Sequence, residues 1–523
     1  MKSIKLFFFI FIFKTNMAAQ VPTIQWQKSY GGTKDDVAYS SCNTKDGGFM
    51  LVGDSYSEDG DVLNHFIFGI SDVWVLKLDS LGNVKWKNCF GGTGSEDHPS
   101  IKKTFDDGFI IASSTTSDDG DVTGLHMIGR PDFWVVKIDS TGIIQWQKCL
   151  GSTEDDEAAD IIQTADSGYL VTGYVSWLDG DVIGFHGERD MWVVKLSKDG
   201  EKQWSKSLGG SDFDWGTSCV QTKDGGYLIG GSTASVNGDV SGLHGLGVDS
   251  WVVKLNYLGQ LQWQKCYGGT RVENSHKIIL TKDGGFFISS TTGSSDGDVT
   301  GNHGNIDYWL VKADSIGNIE WQKCYGGTSY QSEGGANSTS DGGVVMIGIV
   351  YFDDSIVTGT HGGVDYWVCK VDSSGNFQWG KTLGGTEDDI PYSIQETHDG
   401  GYLVAGYTSS IDGDVTSNHG GKDYWIVKLA PLGLTVPELE NSFMELNIFQ
   451  SNNQLNLKYF SKHNQNAQLF LYDVNGKKVF EKGISVNEGI NYNTVSIAGL
   501  AGGMYFIRMD GEKGWQSGKI VIQ

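Results

Sequence analysis

Residues 132–152 read DFWVVKIDSTGIIQWQKCLGS, and this stretch decides the fold. Two runs, Phe133 to Ile138 and Ile143 to Lys148, alternate apolar with polar residues, as strands with one covered face do. Between them Ser140-Thr141-Gly142 forms a turn whose glycine supplies the positive φ of a tight hairpin. Moving outward, the same hairpin recurs along the chain. Its first strand carries Trp74, Trp134, Trp192, Trp251, Trp309, Trp367 and Trp425, and its second carries Trp26, Trp86, Trp146, Trp204, Trp263, Trp321 and Trp379. Gly-Gly or Gly-Ser pairs begin at Gly31, Gly91, Gly151, Gly209, Gly268, Gly326 and Gly384, each followed fifteen residues later by an Asp that opens a turn. From the Asp before each hairpin (Asp132 in this copy) to the next pair is always nineteen residues. The distance between the two Asp varies from 24 to 26, so length variation is confined to one loop.

Each unit of about sixty residues therefore holds four strands, which we label a to d, and four antiparallel strands per repeat is the pattern of a propeller blade. The series starts on a strand d (Thr23 to Tyr30) and ends on a strand c (Tyr424 to Leu429). The N-terminal strand is expected to complete the last blade, leaving no open sheet edge. The expected fold is all-β: a seven-bladed β-propeller over residues 20–430, a linker at 431–441, and a small C-terminal β-sandwich at 442–523.

The 523 residues hold 39 Lys+Arg against 64 Asp+Glu, a formal charge of −25, which argues against a nucleic-acid partner. The 74 Gly alongside 17 Trp and 21 Tyr fit many short strands and tight turns, not disorder. Residues 1–19 read as a signal peptide, with Lys2 and Lys5, an apolar run from Leu6 to Phe13, and Met17-Ala18-Ala19 before the cut. That run is too short to span a bilayer, so no transmembrane helix is expected in the mature chain. Four of the seven Cys (Cys89, Cys149, Cys266, Cys324) share one repeat position and read as small half-buried residues, since equivalent sites on different blades are too far apart to bridge.

Near the C-terminus come Leu471-Tyr472-Asp473-Val474-Asn475-Gly476-Lys477, Leu500-Ala501-Gly502-Gly503-Met504-Tyr505-Phe506-Ile507 and the terminal Lys519-Ile520-Val521-Ile522-Gln523. This segment of roughly 80 residues resembles the type A sorting domain of Bacteroidetes type IX secretion substrates. The resemblance implies export, engagement of the type IX machinery, and release or anchoring at the outer-membrane surface. The family's Tyr-Pro-Asn-Pro-like opening is replaced here by Ile448-Phe449-Gln450-Ser451-Asn452.

Candidate sites fall in three groups. The b–c loop repeats an Asp-Gly-Asp-Val element, giving Asp59/Asp61, Asp119/Asp121, Asp179/Asp181, Asp296/Asp298 and Asp412/Asp414, followed by a His. These acids either cap loop N–H groups or hold Ca²⁺ through hard oxygen ligands. No other cofactor is indicated. A second set, five residues after each Gly pair, is Asp36, Glu96, Asp156, Asp214, Glu273 and Asp389, with Gln331 in the sixth copy. At the start of the inner strand they are expected at the mouth of the central channel, as a negative funnel or as solvated or turn-capping acids. The third group breaks the repeat: Trp177, Phe185 and Arg189 in the third b–c loop, and Phe213 and Trp215 in the following d–a loop. An exposed aromatic platform there suits a glycan or protein ligand. No nucleophile elbow, P-loop, HExxH or dinucleotide fingerprint occurs, and no catalytic residue is named. The expected function is a secreted or surface binding protein. The alternatives are a propeller glycoside hydrolase or polysaccharide lyase, and a structural or adhesive protein with repeated Ca²⁺ sites.

Overall fold

The computed structural model describes residues 20–62, 70–328, 331–354, 356–432, 443–451, 454–461, 464–473, 477–500, 502–511 and 514–522. The expected signal peptide, and residues 433–441 of the expected linker, lie outside them. The chain divides into two compact units, residues 1–432 and 433–523. Among the described residues no helix is long and apolar enough to cross a membrane.

In the first unit the described residues form seven four-stranded antiparallel sheets in sequence order. Blade 1 runs Asp36–Asn43, Phe49–Ser55, Asp72–Leu78 and Val84–Phe90, and the hairpin quoted above forms strands Asp132–Ile138 and Ile144–Leu150 of blade 2. Blade 7 takes Asp389–Glu396, Tyr402–Thr408 and Asp423–Leu429, and its outer strand is Ile24–Tyr30 from the N-terminus. The closing strand repeats the local chemistry of the others. Trp425 Nε1 donates to Gln27 Oε1 at 2.8 Å, as Trp134 does to Gln147 at 3.0 Å and Trp251 to Gln264 at 2.8 Å. The inner strands pack on one another in turn, Asp36–Asn43 touching both Glu96–Lys103 and Asp389–Glu396, which closes the ring.

Blades are sealed to one another by the two tryptophan series. The strand-c tryptophans are fully buried. Six of the outer-strand tryptophans are half-buried and lie across the c–d turn of the next blade, such as Trp26 on Gly82 and Trp146 on Gly200, while Trp379, next to blade 7, is buried. A Cβ at Gly82 would come within 2.9 Å of the Trp26 ring, and its φ of +76° is itself unfavourable for a side chain, so both contact and turn require glycine there. The strand-c lysines, such as Lys137, are buried and tied to the a–b turn Asp (Lys137 to Asp106, 2.9 Å), locking each hairpin end to the neighbouring turn.

All seven inner strands carry a β-bulge at the same register, which leaves one residue per blade (two in blade 2) outside the ladder. These residues are Tyr39, His98-Pro99, Ala159, Thr217, His276, Gly334 and Tyr392.

The second unit is a sandwich of a three-stranded sheet (Phe443–Ser451, Gln454–Ser461, Gly489–Ser496) and a four-stranded one (Lys478–Val486, Gln465–Tyr472, Gly503–Gly511, Gly514–Ile522). Leu455, Leu457 and Tyr459 of the first share a core with Leu469, Leu471, Ile507 and Met509 of the second.

Candidate functional site

The d–a and b–c loops meet on one face, and the repeated acids hold them together. The first Asp of each Asp-Gly-Asp element accepts the backbone N–H and hydroxyl of the Thr after the Gly pair: Asp119 from Thr93 at 2.7 and 2.9 Å, Asp179 from Thr153 at 2.8 and 2.6 Å, Asp296 from Thr270 at 2.8 Å for both. Asp59 and Asp412 do the same with Thr33 and Thr386. In blade 4 Asn237 takes this place, accepting from Ser211 N–H at 2.8 Å. A neutral amide serves equally well, which identifies the position as a loop peg that needs no charge. The second Asp donates its own N–H back to the Gly pair carbonyl, as in Asp61 to Gly31 and Asp121 to Gly91, both 2.8 Å. Asp181, Asp298 and Asp414 turn their carboxylates toward the preceding blade's histidine, with Oδ2 at 3.6 Å from His126 Nε2, 3.7 Å from His244 and 4.0 Å from His361. Each such histidine is tied to its own strand-c Asp, His126 Nδ1 lying 2.7 Å from Asp132. His65 lies outside the described residues. Among the described residues no three His, Cys, Asp or Glu side chains are grouped to hold a metal ion.

Of the readings of the six acids expected at the channel mouth, the turn-capping one holds. Asp36, Glu96, Asp156, Asp214, Glu273 and Asp389 are fully buried, so they form no solvated funnel. Each side chain turns back beneath its own Gly pair. Asp36 accepts the Gly32 N–H at 2.8 Å and the Ser57 hydroxyl at 2.8 Å, and Glu96 accepts Gly92 N–H at 3.1 Å and Thr115 hydroxyl at 2.6 Å. On the far side of the first glycine lies the strand-c Asp of the preceding blade. A Cβ at Gly151 would stand 2.6 Å from Asp156 Oδ2 and 2.7 Å from Asp132 Oδ1, so two carboxyl groups crowd one glycine Cα. Burial, more than any other cause, pushes Asp36 and Asp389 up to about 6, and Glu96 and Asp156 to about 7. It lifts the strand-c partners Asp190 and Asp365 to about 6 as well.

The residues that break the repeat are partly brought together. Arg189 stacks over the Tyr174 ring at 4.4 Å and reaches Phe213 at 5.8 Å, while its carbonyl accepts the Asp214 N–H at 2.8 Å. Phe213 is 43% exposed and Trp177 54% exposed, with Leu178 and Ile183 also exposed in the same loop. Phe185 does not join them, because it packs against the blade 2–blade 3 core. Trp215 is in the inner strand Asp214–Gln221, opposite Ser232, and not in the loop. The inner strand starts at Asp214, immediately after Phe213, which the spacing of the Gly pair alone does not mark.

The bulge residues were not singled out by their chemistry in the sequence, yet all of them line the central channel. A signal was present: Tyr39, Pro99, Ala159, Thr217, His276, Gly334 and Tyr392 each stand eight residues after the Gly pair. That one column changes character in nearly every copy while its neighbours hold the strand pattern.

Residues 451–523 match the secretion system C-terminal sorting domain family; the segment is a type IX secretion sorting domain, of the Bacteroidetes type. It directs export to the cell surface or the extracellular space. Over 385 residues the chain is 23% identical to the regulatory protein FlaEY of Caulobacter vibrioides, covering 66% of this chain but only 40% of that protein's length. Solved structures similar to it include Kuenenia stuttgartiensis hydrazine synthase (12% identity, 72% of this chain and 94% of that one, TM-score 0.42). The Neurospora crassa Pan2 WD40 domain is another (10% identity, 77% and 90%, TM-score 0.39).

Proposed function

We propose that the chain is a non-enzymatic binding protein of the cell surface or its surroundings, and that the loop face of its propeller takes a glycan or protein ligand. The observation that carries this reading is the stack of Arg189 on Tyr174 and Phe213, with Trp177 exposed in the same b–c loop as Arg189. A flat π-face next to a fixed guanidinium suits a sugar ring with polar substituents, or an aromatic or acidic protein side chain. The exposed apolar side chains of the neighbouring b–c loops, Met127 and Ile128 in blade 2 and Val236 and Leu246 in blade 4, lie on the same face and favour a macromolecule. The repeated acids of this face are engaged as pegs and buried pairs, which supports a binding rather than a hydrolytic role.

The test is a glycan array, with a parallel pull-down from outer-membrane extracts, using the intact chain. Trp177→Ala and Arg189→Ala are each expected to weaken the captured interaction by about thirtyfold, the scale of a central aromatic or arginine anchor. Trp215→Ala should leave it unchanged, since that residue belongs to an inner strand. Equal binding by Trp177→Ala would remove the platform from the account.

A further inference from the structure

The channel is a separate place from the loop platform, and its lining is chemically uneven. Its cavity of about 470 Å³ is within the range of small-molecule sites. Blades 3, 4 and 6 leave room in it, because their bulge residues are Ala159, Thr217 and Gly334. Blades 7, 1 and 2 build an aromatic wall, with Tyr39 4.6 Å from Tyr392 and 4.8 Å from His98, centroid to centroid. Bulges re-aim a side chain without disturbing the flanking ladder, and here they aim seven different surfaces at one space.

Below the bulges sits a charge cluster that breaks the sevenfold pattern. Asp160, 1% exposed, takes Lys102 Nζ at 3.1 Å on Oδ1 and Lys277 Nζ at 2.8 Å on Oδ2. It also accepts the Ser100 hydroxyl at 3.1 Å and the Cys219 N–H at 3.3 Å, which occupies the carboxylate fully. Both lysines keep about 30% of their side chains exposed and line the cavity. Two ammonium groups thus share one buried carboxylate, and both line the cavity. A second carboxylate, Glu157, also lines the cavity and balances the formal charge of the two lysines together with Asp160; its side chain is hydrogen-bonded to Tyr174. His276 also lines the cavity and has a buried Nε2 with no partner. Burial lowers its pKa to about 4, so at neutral pH it is an uncharged imidazole.

We propose that the central channel is a binding site for a small anionic ligand, a carboxylate or phosphate bound at Lys102 and Lys277, with the body of the ligand against the Tyr39–Tyr392 wall and in reach of His276. The inference is independent of the loop platform. Each ammonium has three donors: Lys102 uses one on Asp160 and one on the Ser100 hydroxyl at 3.4 Å, Lys277 uses one on Asp160, and the remaining ones are available to an oxyanion.

Calorimetric titration of the intact chain with potassium glucuronate and with potassium phosphate, against potassium chloride at matched ionic strength, tests it. Saturable binding of at least one probe beyond chloride is expected, and which one binds identifies the anion class. Asp160→Asn removes the competing carboxylate and is expected to tighten that binding by about tenfold, whereas Lys277→Met weakens it by a similar factor. Thr217→Trp, which fills the cavity and leaves the charge cluster in place, is expected to abolish it. A purely structural cluster would lower the melting temperature in Asp160→Asn without tightening anything. No saturable heat with either probe in the wild-type chain overturns the proposal, as does unchanged binding in Thr217→Trp.

Discussion

Raising the pH from 5 to 8 is expected to lower the melting temperature of the intact chain by roughly 8 °C, because folding holds protons on buried carboxyl groups. The direction follows from the raised values. Asp36, Asp190, Asp365 and Asp389 sit near 6, and Glu96 and Asp156 near 7, against ordinary values near 4 in the unfolded chain. Between those limits the folded state binds more protons, so stability is fully present below about pH 4 and is lost as the pH rises through 6 to 7. His126, raised by its hydrogen bond to Asp132, acts in the same direction. The two acids around one glycine share this effect, and about 1 kcal/mol per blade, well under the full value of a two-unit shift, already yields the stated change for a ring of this size. Asp160 acts oppositely, held low by Lys102 and Lys277, but its contribution is lost only under strongly acidic conditions. Blade 6 supplies the control, since Gln331 occupies the acid's place and still accepts the Gly327 N–H at 3.1 Å. Glu96→Gln should therefore raise the melting temperature at pH 8 and flatten the profile. A melting temperature that climbs from pH 5 to 8 would contradict the burial of these acids.

Removing residues 20–30 is expected to have an effect of similar size, a fall of at least about 7 °C together with self-association on a sizing column. The closing strand contributes the buried Tyr30, whose hydroxyl donates to the Gly82 carbonyl, and the half-buried Ile24 and Trp26. Together these represent roughly 5 kcal/mol of apolar burial. The deletion also removes Gln27, the acceptor of Trp425 Nε1. It opens Asp423–Leu429 as an apolar sheet edge. A synthetic peptide of residues 20–30 should restore part of the melting temperature when added back. A monomeric deletion variant with unchanged melting would mean that the ring holds without this strand.

The architecture was legible because every repeated feature is a local requirement. Trp at fixed offsets, glycine at the c–d turn and constant hairpin spacing all report ladder and turn geometry. The sites were less legible because their residues act through direction. Asp36 and its equivalents are acids five residues past a glycine pair in sequence, and only the backward turn of the side chain makes them interior. Trp215 looked like a loop aromatic because strand starts are set by hydrogen bonding to Thr233–Ser232, which composition does not record. Asp160 and Lys277 are 117 residues apart, and nothing local pairs them across the channel.

The bulge in every inner strand has a consequence for how such a chain changes over generations. Tandem copies inherit the same ladder, and a substitution at a laddered position must suit a partner strand and a neighbouring blade at once. A residue outside the ladder is released from the partner strand. Substitutions at Ala159, Thr217 and His276 therefore need fit no cross-strand pair, although Gly334 is held by the Pro391 carbonyl, 2.5 Å from where its Cβ would stand, so most of the interior can diverge while the seven walls stay alike. Duplication supplies the ring, and one position per copy outside the ladder lets its interior become individual.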